Sequence, residues 1–136
     1  MALEGIVLFP ALIMGVIIGL VEVFFVHEDE VGMGWFMHAM HAIPFTLFFV
    51  FVSMNIGFVL GLLNLGITEN IWVDLGIRVV VGIVAMVKIA GAAAIVGRIG
   101  EKWYHTLIIG VLIILAPYAW ALAGPSISPM LPSWMQ

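Results

Sequence analysis

The 136-residue chain contains no cysteine, and charged residues make up only 9% of it. Without thiols it can form no disulfide, ligate no iron–sulfur cluster through cysteine and build no thiolate zinc site. It has 4 Lys and Arg residues against 8 Asp and Glu, a formal net charge of −4. That balance argues against nucleic acid as a partner, because such surfaces need clustered cations. No nucleophile–base arrangement is visible either. Ser53 lies in an apolar run, and Ser126, Ser128 and Ser133 lie near the end of the chain. Nothing in these residues points to an enzyme.

What the chain does have is apolar length: 65% of it is hydrophobic, gathered into four runs separated by short polar breaks. A bilayer core is roughly 30 Å thick, so a helix rising about 1.5 Å per residue needs about 20 apolar residues to cross it. The pattern predicts an all-α, polytopic transmembrane four-helix bundle forming a single domain, with the lipid bilayer as its medium. The spans fall at about residues 5–26, 44–63, 71–96 and 103–122. The first run has no basic flank and no small-x-small cleavage site, so it reads as a retained helix and not a signal peptide. Pro44 divides a stretch too long for one ordinary crossing. Two readings follow. Either a short interfacial helix over residues 34–43 precedes a span that starts at Pro44, or one long helix kinks there. The first is preferred because it leaves Trp35 and two histidines at headgroup depth. Residues 124–136 carry three prolines and read as a tail lying along the membrane surface.

Small residues recur at a spacing that lets helices approach closely: Gly15-xxx-Gly19, Gly57-xxx-Gly61 and Ala93-xxx-Gly97. Lipid supplies no hydrophobic force between helices, so such pairs favour a tight bundle, self-association or assembly into a larger membrane complex. Four crossings place both termini on one side. The loops at residues 27–30 and 98–102 then share the other side, and Arg98 and Lys102 mark it as cytoplasmic.

The same fold-back gathers His27, His38, His41 and His105 at that membrane face, with Glu28, Asp29, Glu30 and Glu101 beside them. His38 and His41 are three apart and Glu101 and His105 four apart, both neighbouring positions on a helix. Imidazole and carboxylate groups placed this way suit a divalent transition metal, or a haem held by two histidines. The alternative is an ordinary polar membrane interface, or a pH-responsive cluster, since His titrates near neutral pH. Met33, Met37 and Met40 lie nearby as soft copper ligands, although helical spacing of Met is more often packing surface.

Ionisable groups at hydrocarbon depth cost roughly 2.5–3.5 kcal/mol each, so they normally face a partner or a wet cavity. Asp74 and Arg78 are four apart and can pair within one helix, with Asn55 at a similar depth to bond Arg78. Lys88 lies about 12 Å inside its span, and snorkelling toward one face would bring its ammonium near Glu22. These residues suggest a small oligomeric proton or cation transporter or channel, with the histidine and acid cluster as an entry gate. A haem- or metal-binding subunit and a non-catalytic scaffold subunit of a larger complex are the alternatives.

Overall fold

The computed structural model describes residues 5–32, 34–64, 70–95 and 101–135, the side chains of 92–95 excepted. The described residues form five α-helices and two short 3-10 turns, with no strand. The helices are α1 (Leu8–Asp29), α2 (Trp35–Met54), α3 (Ile56–Leu62), α4 (Ile71–Ile95) and α5 (Trp103–Ile127). Three segments are long and apolar enough to cross a membrane: α1, α2, and Trp103–Met130, which joins α5 to the turn after it. The fourth expected span, α4, is not among them; its 25 residues include Asp74, Arg78 and Lys88. Gly97 of the Ala93-xxx-Gly97 pair, Arg98, Met33 and residues 65–69 lie outside the described residues.

α1 starts with Pro10 in its first turn, where a missing N–H breaks no helical bond. It runs past the expected end at Val26 through His27, Glu28 and Asp29. Glu30 then turns extended and Gly32, at φ 103°, takes the left-handed conformation that lets α2 fold back. The α1–α2 contact rests on the first glycine pair. A Cβ on Gly15 would lie 3.2 Å from Leu47 Cα, and one on Gly19 would lie 3.5 Å from Ile43 Cα. Gly61, of the second pair, has nothing within 4 Å of such an atom, so it makes no close approach. α4 and α5 meet instead at Gly82, whose Cβ would lie 3.0 Å from the Gly110 carbonyl.

The preferred reading of Pro44 does not hold, and the alternative of one helix through it does. α2 passes through Pro44 as one helix from Trp35, with no separate interfacial segment, and the interruption comes at Asn55. Pro44 is exposed, and the one carbonyl it leaves without a helical donor belongs to Met40, on the exposed side. Asn55 competes with the helix directly: its Nδ2 donates to Phe51 O at 2.9 Å, and its Oδ1 accepts from Val7 N at 2.6 Å. The chain resumes as α3 and ends at Asn64, a left-handed residue at φ 53°. At the other end of the chain, α5 continues five residues beyond Leu122 and through Pro125, before two 3-10 turns at Ser128–Met130 and Ser133–Met135. Trp134 packs edge-on against Phe9, so the two ends of the chain meet at one end of the bundle.

α1 and α4 occupy opposite corners of the bundle. Each packs on both α2 and α5, and α2 and α5 touch across the middle. Ile18, Phe49, Val50, Ala85, Ile109, Ile113 and Ala116 fill that middle as one apolar layer. Polar side chains collect on either side of it.

Candidate functional site

The first polar group lies where α1 ends, α2 begins and α5 begins. α5 starts at Trp103 with no side-chain cap of its own and no acid in its first turn. Asp29 of α1 supplies the missing carboxylate: its Oδ2 accepts from Lys102 N at 2.9 Å and from His105 Nδ1 at 2.7 Å. A carboxylate at that position also suits the positive end of the helix dipole. His105 is buried and stacks flat on Phe25, ring centroids 4.1 Å apart. The Lys102 ammonium sits 3.1 Å from Glu28 Oε1 and 3.1 Å from Asp29 Oδ1. Those two acids hold it above the ordinary lysine range.

Glu22 lies two turns deeper on α1 and is 2% exposed. Its carboxyl group is within hydrogen-bonding reach of the Glu101 carboxyl, and its Oε2 meets no donor. Glu101 is half-buried just before α5 and accepts from the Thr106 hydroxyl at 3.4 Å. Burial pushes the Glu101 carboxyl up to about 7.

His27 and His38 meet across the α1–α2 junction with their Nδ1 atoms 3.1 Å apart. One ring donates and the other accepts, so the two cannot both be imidazolium. His27 also stacks on Trp35 at 3.7 Å.

The structure divides the expected metal or haem set instead of assembling it. His38 and His41 do not share a face: the buried stripe of α2 runs through His38, Ala42 and Thr46, and exposed His41 bonds the Met37 carbonyl of its own helix. Glu101 and His105 do not pair, because Glu101 precedes α5 and four-residue helical spacing does not apply to it. His27 contacts His38, His105 contacts Asp29, and Glu101 faces Glu22. Ligand atoms of Glu28, Asp29 and His105 do converge within 4.8 Å. The Lys102 ammonium already lies against both of those acids and holds the position a cation would take.

The expected Glu22–Lys88 pair does not form. Lys88 is exposed on the outer side of α4, and α2 and α5 separate that helix from α1.

The second polar group lies beyond the apolar layer, at the interruption of α2. Asp74 and Arg78 pair within α4 as expected, through two contacts at 2.7 and 2.8 Å. Arg78 does not reach Asn55. It donates instead to the Ser53 carbonyl, an acceptor that the break at Asn55 deprives of its helical donor. Tyr118 adds a hydroxyl 3.3 Å from Asp74 Oδ2, and its ring lies beneath the guanidinium at 5.7 Å. Asn55 serves α1, through Val7.

Of these contacts, only Asp74–Arg78 was visible as a helical spacing. The pairings of Asp29, Glu101, Lys102 and Tyr118 depend on which helices are neighbours. The chain matches no family model, no curated protein and no solved structure.

Proposed function

We propose that this chain is a four-span integral membrane protein that moves protons or another small cation, with Glu22 as the residue that carries the charge. One observation supports this most. Glu22 is buried in a membrane-length apolar helix, faces a second acid and has no cationic partner among the described residues. An acid kept at such depth without a counter-ion is costly, and structural ion pairing does not account for it. Asp74 and Arg78, by contrast, neutralise each other and serve packing.

The other groups fit subordinate roles. Two hydrogen-bonded pairs, Asp29–His105 and Thr106–Glu101, lie between the membrane end and Glu22 and offer exchangeable sites on the way to it. The apolar layer of Ile109, Ile113, Val50 and Phe49 then closes the path toward the other end. Transport through this protein therefore requires a rearrangement of the helices, and the interruption of α2 at Asn55 is where they would bend. α4 is 25 residues long and packs on α2 and α5, which supports reading it as the fourth span despite its charges. The test is ion flux into liposomes containing the purified chain. Acidification above that of empty liposomes is expected, with Glu22→Gln reducing it at least tenfold. Flux unaffected by that substitution would exclude Glu22 as the carrier.

A further inference from the structure

Glu22 and Glu101 come from α1 and from the segment that leads into α5, and their carboxyl groups lie within hydrogen-bonding reach of each other. Ionised carboxylates only accept, so two of them can bond only when one bears a proton. At such a separation, away from water, simultaneous ionisation is strongly opposed.

We propose that Glu22 and Glu101 form an acid dyad that holds one exchangeable proton, so that the species handled at this site is the proton and not a metal cation. The inference rests on the transport reading above and specifies what is carried. Three further observations support it. First, among the described residues no cation reaches the dyad: Lys102 is held by Glu28 and Asp29, and Lys88 is exposed on α4. Second, Glu22 is 2% exposed and its Oε2 has no donor among the described residues, so the pair retains a buried acceptor. Third, the local oxygens are too few for a hard metal ion. Calcium takes about six to eight oxygen ligands. Among the described residues, two carboxyl groups and the Thr106 hydroxyl, already donated to Glu101, are the side-chain oxygens that hydrogen bonding brings together here.

The surrounding charges act in the same direction. Asp29 and Glu30 repel an ionised dyad. From α5, His105 meets Asp29, and from α2, His38 meets His27. The half-buried Glu101 exchanges with water, and Glu22 receives from it. As the proton passes, one O–H bond breaks and the other forms, and the dyad keeps a single negative charge.

Infrared difference spectroscopy of the reconstituted chain in water and heavy water tests this. The wild type at neutral pH should show a protonated-carboxyl C=O band that shifts in heavy water. Glu22→Gln should remove that band, Glu22→Asp should keep it at a shifted position, and circular dichroism confirms that each variant is folded. Absence of the band in the wild type, or its persistence unchanged in Glu22→Gln, would overturn the dyad. Parallel flux assays under proton or sodium gradients separate this claim from the broader one. Sodium-driven flux without the band refutes the dyad and leaves transport standing; the band without any flux refutes transport and leaves the dyad standing.

Discussion

At the residue scale, the chemistry of this protein rests on a few acids whose surroundings differ. Asp29 accepts from the Lys102 backbone and the His105 ring through one oxygen, and its other oxygen lies 3.1 Å from the Lys102 ammonium. Hydrogen bonds to charged groups are worth about 1.5–3 kcal/mol. His105→Ala should therefore destabilise the chain by about that amount, read as a lowered midpoint of denaturant unfolding in detergent. Glu101 is the opposite case, because burial raises its carboxyl to about 7. The folded chain then holds a proton that the unfolded chain has released, so stability falls as pH rises. This contribution is fully present below the ordinary carboxylate range and is lost as pH approaches 7. Melting curves across that window should show the decline, and Glu101→Gln should flatten it. An unchanged slope in the variant would assign the pH dependence to another group.

At the element scale, the helices are joined by two close approaches and one interruption. Gly15→Ala places a Cβ 3.2 Å from the Leu47 backbone and should destabilise by about 1–3 kcal/mol through overpacking. Gly61→Ala meets nothing and should be neutral, or stabilising by up to about 1 kcal/mol through helix propensity. A reversed order of the two melting temperatures would refute the assigned α1–α2 contact. Arg78→Ala leaves the Ser53 carbonyl without its donor and Asp74 without its counter-charge, so it should cost more than Lys88→Ala, whose side chain is exposed.

The sequence made some of these elements legible and hid others, for identifiable reasons. The apolar runs and the Gly15-xxx-Gly19 pair are local patterns: three of the runs correspond to membrane-length apolar helices, and the glycine pair to the α1–α2 contact. Pro44 is the stronger local breaker, yet α2 absorbs it, while Asn55 breaks the helix because Val7 is there to accept its side chain as a partner. No spacing along the chain could reveal that. The Glu22–Glu101 pair was hidden for the same kind of reason. Lys88 was the nearest charge by depth, but depth does not say which helices are neighbours, and α5 rather than α4 lies beside α1.

At the scale of the whole molecule, the bundle has two polar ends and an apolar middle. The Phe9–Trp134 contact places both ends of the described chain at one end of the bundle, with Glu28 and Lys102 at the other. The proposed four-span arrangement requires these two ends to lie on opposite sides of the bilayer. The absence of cysteine makes the point easy to test. A single cysteine at Glu28→Cys and one at Trp134→Cys should react with a membrane-impermeant maleimide from opposite sides; labelling from the same side would exclude four spans. The central claim is narrower, that the buried acid Glu22 carries the transported charge while the exposed Lys88 does not. The measurement is proton uptake by liposomes under a potassium diffusion potential, comparing the wild type with Glu22→Gln and Lys88→Ala. Uptake is expected in the wild type and in Lys88→Ala, and its loss in a folded Glu22→Gln. Equal uptake in wild type and Glu22→Gln, or none above empty liposomes in any of them, would contradict it.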